Sequence, residues 1–177
     1  MKIISVLESG KVERFHTVPG VAKQSIAEHQ WGVALIAQTL YPDFSKNLLL
    51  KALTHDCAEV FTGHIPFTTK KANPFLRTLV GAMETEYERE LGINYKLRNG
   101  EEDVLKLADM LEGFIYCYNR ATNHGEKKAM VVAERWLEVI RTYEFKEEEP
   151  IFQGVVRDRI HEILLTVKKH KPEENIE

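Results

Sequence analysis

Apolar residues recur three and four positions apart along most of the chain, and this spacing is typical of amphipathic helices. No stretch alternates apolar and polar residues cleanly enough to predict a strand. Capping residues mark the helix ends: Ser25 has a glutamate three residues later, Asn73 precedes a proline, and Gly92 and Gly125 follow the last apolar positions of their segments. The pattern predicts six helices, over residues 25–40, 45–61, 73–91, 101–123, 126–143 and 151–169.

The two ends of the chain are less regular than its middle. Residues 2–12 favour a short helix, although an extended arm also fits their pattern. Residues 171–177 are polar, and we expect them to fray as a flexible tail. A length of 177 residues corresponds to about one domain. We therefore expect an all-α, single-domain helical bundle over residues 1–170.

Composition narrows the classes of function. The formal net charge is -3 and the sequence pI is about 6.2, so a broad nucleic-acid-binding surface is not expected. No apolar run reaches the roughly 18 residues that a membrane span needs, and the N-terminus lacks the apolar core of a signal peptide. Cys57 and Cys117 are too few for a disulfide framework, which favours reduced thiols in a cytoplasmic protein.

Polar residues occupy positions that the helical pattern assigns to the apolar faces. His29 lies three residues after Ile26, Asp56 lies three residues after Leu53, and Asp109 lies at the edge of the apolar stripe in a third helix. A buried carboxylate needs a cation, and imidazole and carboxylate together can hold a divalent metal. Spacing alone leaves two interpretations open: a metal site, or a satisfied core histidine with capping or arginine-paired aspartates.

His55 directly precedes Asp56 and would lie about 100° from it around a continuous helix. Spacing alone therefore does not make these two residues joint ligands. Nevertheless, the dipeptide His55-Asp56, preceded by His29 and followed by Asp109, resembles the H…HD…D pattern of the HD-domain phosphohydrolase superfamily. The resemblance covers roughly residues 14–120. It implies a helical bundle in which these four residues hold a divalent metal: Zn, Co or Mn, with Mg as an additional candidate.

Within the superfamily, the chain is most similar to small 5'-deoxynucleotidases and phage dATP triphosphohydrolases. Residues 14–17, Arg-Phe-His-Thr, resemble an arginine-aromatic segment of these families. Residues 55–59 match their HDxxE motif, which places Glu59 at the catalytic acid position. Residues 62–66, Thr-Gly-His-Ile-Pro, followed by Lys70, resemble a TGDxP…K motif. His64 replaces the aspartate of that motif, which leaves the register of the substrate open.

The resemblance implies roles for these side chains. Glu59 would act as a general acid or base, and Arg14 and Lys70 would bind phosphate and support catalysis. Phe15 would pack against the sugar and disfavour a ribose hydroxyl, although simple core packing is an equal alternative. His16 and His64 would contact phosphate or support the ligands. A further residue, Tyr116 or Tyr118, would line the base pocket.

The resemblance therefore predicts a metal-dependent hydrolase of 2'-deoxynucleotides. The favoured reaction releases deoxynucleoside and triphosphate from dATP, and a 5'-deoxynucleotidase acting on monophosphates is the alternative. Because His64 departs from the motif, a non-catalytic nucleotide sensor is a third hypothesis. Relatives of this size form dimers or hexamers, and the aromatic residues Phe67, Phe75 and Tyr87 are candidates for a subunit interface. A phage-encoded protein would act in the host cytoplasm.

Overall fold

The computed structural model of the chain describes residues 1–169. Within this range the all-α prediction is confirmed, with nine helices and one pair of two-residue strands. In chain order these elements are α1 Ile3–Ser9, β1 Glu13–Arg14, β2 Gln24–Ser25, α2 Ile26–Leu40, α3 Lys46–Ala52, α4 Glu59–Thr62, α5 Phe67–Ala72, α6 Pro74–Leu91, α7 Glu101–His124, α8 Lys127–Arg141 and α9 Pro150–Lys169. The tail predicted over residues 171–177 lies outside the described residues.

Most helix ends lie where the capping residues predict them. The Ser25 hydroxyl accepts a hydrogen bond from the Glu28 backbone N–H at the start of α2. Asn73 accepts from the Leu76 N–H at the start of α6, and Gly92 ends that helix in the left-handed conformation with φ of 74°. Gly125 ends α7 in the same conformation. These ends are set by local hydrogen bonds, which explains why the sequence predicts them.

The core is built around α7, which packs against α2 on one side and α8 on another. Its inward face is fully buried, as the pattern predicts at Val104, Leu107 and Leu111. From α2, Val33 and Leu40 meet this face and are themselves fully buried. The contact between α2 and α7 matters for function because His29 and Asp109 lie on these two helices.

The prediction of one helix over residues 45–61 is wrong, because this segment forms two separate helices, α3 and α4. The first part, α3, ends at Ala52, and the following residues form tight turns with hydrogen bonds between positions three apart, such as Glu59 N–H to the Asp56 carbonyl at 2.9 Å. The predicted apolar stripe is also shifted: Leu53 is 39% exposed, whereas Leu48 and Ala52 are fully buried. Asp56 therefore cannot be placed inward by continuing the stripe from Leu53.

The remaining differences are at short elements. Residues 3–9 form the short helix that was the first expectation for the N-terminus, whereas α5 was not predicted. The strands β1 and β2 were not predicted either. They pair antiparallel, with Arg14 opposite Gln24. An element of two residues is too short to show an alternating pattern.

Exposed aromatic residues follow the prediction in part. Phe67 and Phe75 are exposed, but Tyr87 is half-buried and stacks on Phe61 with ring centroids 4.5 Å apart.

Across residues 1–169, the structure contains no helix with the length and apolar character that crossing a membrane requires.

Both cysteines are predicted to be unreactive in the folded protein. Cys57 and Cys117 are fully buried free thiols, and burial raises the pKa of Cys117 to about 12 and also raises the pKa of Cys57. Because the thiolate is the reactive form, a disulfide reagent should titrate neither thiol in native protein and both after denaturation. Rapid reaction of either thiol before unfolding would contradict the packing described above.

Candidate metal centre

Three side chains from separate parts of the fold converge on one point. His29 lies in the second turn of α2, Asp109 in the first half of α7, and His55 in the turns that follow α3. One ligand atom from each of these residues lies within 4.8 Å of the others. Imidazole nitrogen and carboxylate oxygen at this separation can share one divalent cation. The group therefore forms a candidate metal site of the predicted composition.

Asp56, the fourth predicted ligand, lies beside this group. Its Oδ2 atom is 3.6 Å from His29 Nε2 and 3.5 Å from His55 Nε2. Adjacent residues of a regular α-helix would diverge, but residues 53–58 form successive turns with three-residue hydrogen bonds. The break in the predicted helix thus explains how His55 and Asp56 both reach the site. All four predicted ligands are close together.

The histidine nitrogens show which atoms would meet an ion. Each Nδ1 is engaged: that of His29 lies 2.5 Å from Glu112 Oε2, and that of His55 donates to the Ala52 carbonyl at 2.9 Å. The Nε2 atom of each ring is buried and has no hydrogen-bond partner among the described residues. An orphaned buried nitrogen is unfavourable unless something binds it. A cation coordinated by both Nε2 atoms removes this penalty, so the residues present fit a divalent metal.

The charges of the site support the same conclusion. Burial raises the pKa of Asp109, but the Lys106 ammonium and His29 outweigh it and hold the pKa well below the usual range. Burial likewise raises the pKa of Asp56, and His55 and His29 more than offset it. Both carboxylates are therefore charged at neutral pH, as metal ligands must be.

His29 is tuned by its surroundings. Burial and the Arg14 guanidinium lower the pKa of His29, but the carboxylates of Asp109 and Glu112 outweigh both and raise it to about 9. The raised pKa means that a proton competes with a cation for the Nε2 atom of this ring.

Two residues next to the ligands were missed in the sequence. Glu112 is buried against His29, and Lys106 donates to Asp109 Oδ2 at 2.9 Å. Both lie three residues from Asp109 on α7, so they share its side of the helix. This spacing is a signal that the sequence already contains.

Glu59 and His64 form a partly buried pair, and Glu59 follows three residues after Asp56. Glu59 begins α4, is 4% exposed, and has its carboxylate oxygens 3.1 and 3.2 Å from His64 Nδ1. Burial raises the pKa of Glu59, and the hydrogen bond with His64 opposes burial without cancelling it. The residue that departs from the motif therefore contacts the predicted acid directly.

Arg14 lies next to Asp109 in the ligand group. It is 5% exposed, and its Nη1 donates to Gln24 Oε1 and Glu112 Oε2, both at 3.1 Å. Its Nη2 lies 4.0 Å from Asp109 Oδ1, and its buried Nε has no partner among the described residues. The predicted phosphate-binding arginine is thus next to the candidate metal site.

Phe15 follows Arg14 in an unusual backbone conformation. Its φ is 61°, the one positive value at a non-glycine residue among residues 1–169. For a large side chain this costs about 1–3 kcal/mol, which the surrounding contacts must offset. The ring stacks on Tyr116 with centroids 5.3 Å apart and an interplanar angle of 8°. Tyr118 instead packs on Phe114, so Tyr116 is the better placed of the two tyrosines.

The remaining predicted residues are more peripheral. His16 contacts the Glu13 carbonyl through Nδ1 at 3.0 Å, and its ring lies 5.9 Å from that of His64. Lys70, on α5, donates to Glu84 at 2.8 Å. No direct contact joins Lys70 to the ligand group in the described residues, although its charge lowers the pKa of Glu59.

Comparison with known proteins identifies the family. The sequence matches the family described as 5'-deoxynucleotidase YfbR-like over residues 2–157. The chain belongs to this family. The superfamily resemblance that the motifs indicated is therefore confirmed.

Two relatives extend the comparison. Over 128 residues the chain is 30% identical to a dATP triphosphohydrolase of Salmonella phage PMBT28, and the match spans 64% of this chain and 64% of that protein. The solved structure of the HD phosphohydrolase DatZ from cyanophage S-2L, bound to dA and one catalytic Zn²⁺ ion, matches with a TM-score of 0.72 and 20% identity. That match covers 96% of this chain and 98% of DatZ, so the fold is that of an HD phosphohydrolase.

Zinc should stabilise the folded protein through these ligands. A ligand that binds only the native state at about 100 times its Kd adds about 2.7 kcal/mol, which is roughly 5–10 °C in Tm for a chain of this size. We expect His55→Ala to abolish this rise in a thermal-shift measurement. His161→Ala, an exposed histidine on α9, is the matched control and should keep it. An unchanged rise in His55→Ala would contradict the assignment.

Proposed function

We propose that the protein is a metal-dependent phosphohydrolase of 2'-deoxynucleotides that cleaves dATP into deoxyadenosine and triphosphate. The observation that carries this proposal is the pair of buried Nε2 atoms of His29 and His55, which lie beside two aspartates and have no hydrogen-bond partner within residues 1–169. Zinc is the preferred ion because the structurally similar DatZ holds a catalytic Zn²⁺, with Co or Mn as alternatives. The family match supports a deoxynucleotide as substrate.

The residues that would hold the ion are His29, His55, Asp56 and Asp109. When bound, the metal would supply Lewis-acid activation of the phosphoryl group and of the attacking water. The protein contributes the fixed arrangement of these four side chains, all of which are at least three-quarters buried by their neighbours.

Glu59 would handle the protons of the reaction. Water attacks the α-phosphorus, the bond from phosphorus to the sugar O5' breaks, and O5' leaves as a hydroxyl only if it receives a proton. Burial raises the pKa of Glu59, which favours the protonated carboxyl group that can deliver this proton. His64 contacts the Glu59 carboxyl group through Nδ1 and orients it. Its imidazole ring can also exchange a proton with that carboxyl group.

Arg14 and the lysines of α5 would bind the phosphates. Arg14 lies next to Asp109 and can meet a phosphate oxygen beside the ion. A triphosphate carries more charge than a monophosphate, and Lys70 and Lys71 at the end of α5 can neutralise part of it. Lys70 would exchange its contact with Glu84 for the phosphate.

Two observations support the choice among substrates. The phage relative that is 30% identical over the matched segment is a dATP triphosphohydrolase, which favours dATP. The name of the matching family favours the second candidate, hydrolysis of deoxynucleoside monophosphates. Both reactions break the same bond to O5', so the ligand geometry serves either.

Product analysis with dATP, dAMP and ATP, in the presence of zinc or cobalt, separates these reactions. We expect deoxyadenosine and triphosphate from dATP and little turnover of ATP. Phosphate from dAMP without triphosphate from dATP would overturn the triphosphohydrolase assignment in favour of the monophosphatase. Nucleotide binding without any turnover would favour a sensor.

Replacing Glu59 by glutamine should lower kcat without removing the ion. Loss of a positioned acid typically costs about 10²–10⁴-fold in rate, whereas Glu59 is not one of the proposed ligands. The measurements are kcat with dATP and zinc affinity on the same preparation. Glu86→Gln, at an exposed position on α6, is the control and should match the wild type. A near-wild-type kcat in Glu59→Gln would remove Glu59 from the mechanism.

Phe15 should control discrimination against ribose. If its ring, held by Tyr116, occupies the space of a 2'-hydroxyl, Phe15→Ala should reduce the ratio of kcat/KM for dATP over ATP by about tenfold or more. Phe75→Ala, at a position that is 78% exposed on α6, should leave the ratio unchanged. An unchanged ratio in Phe15→Ala would show that the ring serves packing alone.

A further inference from the structure

Glu112 lies behind the candidate metal site, on the side of His29 away from the other ligands. It is 7% exposed and sits on α7, one turn after Asp109. Nothing in the proposed reaction requires a carboxylate at this place, because the four ligands and Glu59 already account for the chemistry. A buried carboxylate without a function would be costly, so its contacts need an explanation.

The hydrogen bonds of Glu112 can be assigned from one end of the network. Arg14 has only donors, so the Gln24 atom that it meets at 3.1 Å is the amide oxygen. The other terminal atom of Gln24 is then the NH₂ group, which donates to Glu112 Oε1 at 2.6 Å. Arg14 Nη1 donates to Oε2 at 3.1 Å. Both carboxylate oxygens of Glu112 are therefore acceptors.

This assignment fixes the tautomer of His29. Because Glu112 Oε2 accepts, the His29 Nδ1 atom 2.5 Å away must be the N–H donor. Nε2 is then the nitrogen whose lone pair is available, and it is the buried atom that faces Asp56 and Asp109. A carboxylate that orients a metal-binding histidine in this way raises the basicity of the ligand and holds its ring in place.

Gly32 makes room for this carboxylate. It lies in the interior of α2, where glycine is less favourable than alanine by about 0.5–1 kcal/mol. A Cβ atom at this position would lie 2.8 Å from Glu112 Cγ and 3.4 Å from its Oε1. Any larger residue would force Glu112 to shift from this position, which gives the glycine a physical reason.

We infer that Glu112 is a positioning residue: it holds His29 as the Nδ1–H tautomer, aims Nε2 at the ion, and anchors Arg14 beside it. The inference rests on the metal centre of the proposed function. It adds a residue that contacts neither the substrate nor the ion.

Zinc affinity of Glu112→Gln, measured by competition with a chromogenic chelator, tests the inference. Loss of such a supporting carboxylate is expected to weaken metal binding about 10–100-fold. Glu101→Gln is the matched control, because Glu101 is a fully buried glutamate of the same helix whose partners, Ser45 and Arg98, are not among the proposed ligands or their contacts. The control should lose thermal stability and keep the wild-type zinc affinity.

A second variant covers the case in which Glu112→Gln does not fold. Gly32→Ala leaves Glu112 chemically unchanged but forces its side chain to shift, because the new Cβ would lie 2.8 Å from Glu112 Cγ. We expect weaker zinc binding, measured on preparations whose cooperative thermal transition shows that they are folded. Nitrogen-15 NMR of the zinc-bound wild type should show the proton of His29 on Nδ1.

The outcomes separate this inference from the proposed function. Wild-type zinc affinity in both Glu112→Gln and Gly32→Ala, or a proton on Nε2 of His29 with the metal on Nδ1, would overturn the role of Glu112 alone. Failure of the wild-type protein to bind zinc would overturn the metal centre and this inference with it.

Discussion

The structure of the site depends on one constraint: charged groups buried between α2 and α7 must be paired with one another. His29 is fully buried, and Arg14 and Glu112 are nearly so. Each would be strongly destabilising alone, because the protein interior replaces water poorly around a charge. Together they satisfy one another, since Glu112 accepts from Arg14, Gln24 and His29. Removing one partner would leave the others uncompensated, so the network constrains every element that supplies a member.

This constraint gives a reason for the short strand pair. The register of β1 and β2 places Arg14 opposite Gln24, and opposite residues of an antiparallel pair project from the same side. Both side chains reach Glu112 from there. The pair also fixes the backbone just before Phe15, whose positive φ turns the ring toward Tyr116. Two paired residues per strand thus position both the supporting network and the aromatic neighbour of the site.

The sequence predicts those features that depend on local interactions. The starts of α2 and α6 and the ends of α6 and α7 follow from side-chain caps and left-handed glycines, which involve only neighbouring residues. The break after Ala52 could not be predicted, because the turns at residues 53–58 are held by what surrounds them and Leu53 misleadingly continues the apolar pattern. The H…HD…D motif predicts that His55 and Asp56 act together. The turns at residues 53–58 are the physical reason why both side chains reach the same site. Glu112 could have been found from its spacing to Asp109, but its partner Arg14 is 98 residues away in the chain.

The substitution at position 64 can be understood from the same electrostatic argument. The related motif has an aspartate there, which beside a buried glutamate would add a second negative charge. In this chain His64 lies against Glu59, and a histidine can donate a hydrogen bond to the carboxylate or share its proton. The pKa of Glu59 is still raised, because burial outweighs the histidine. The change therefore leaves the buried carboxyl group of Glu59 in place and alters the side chain that contacts it.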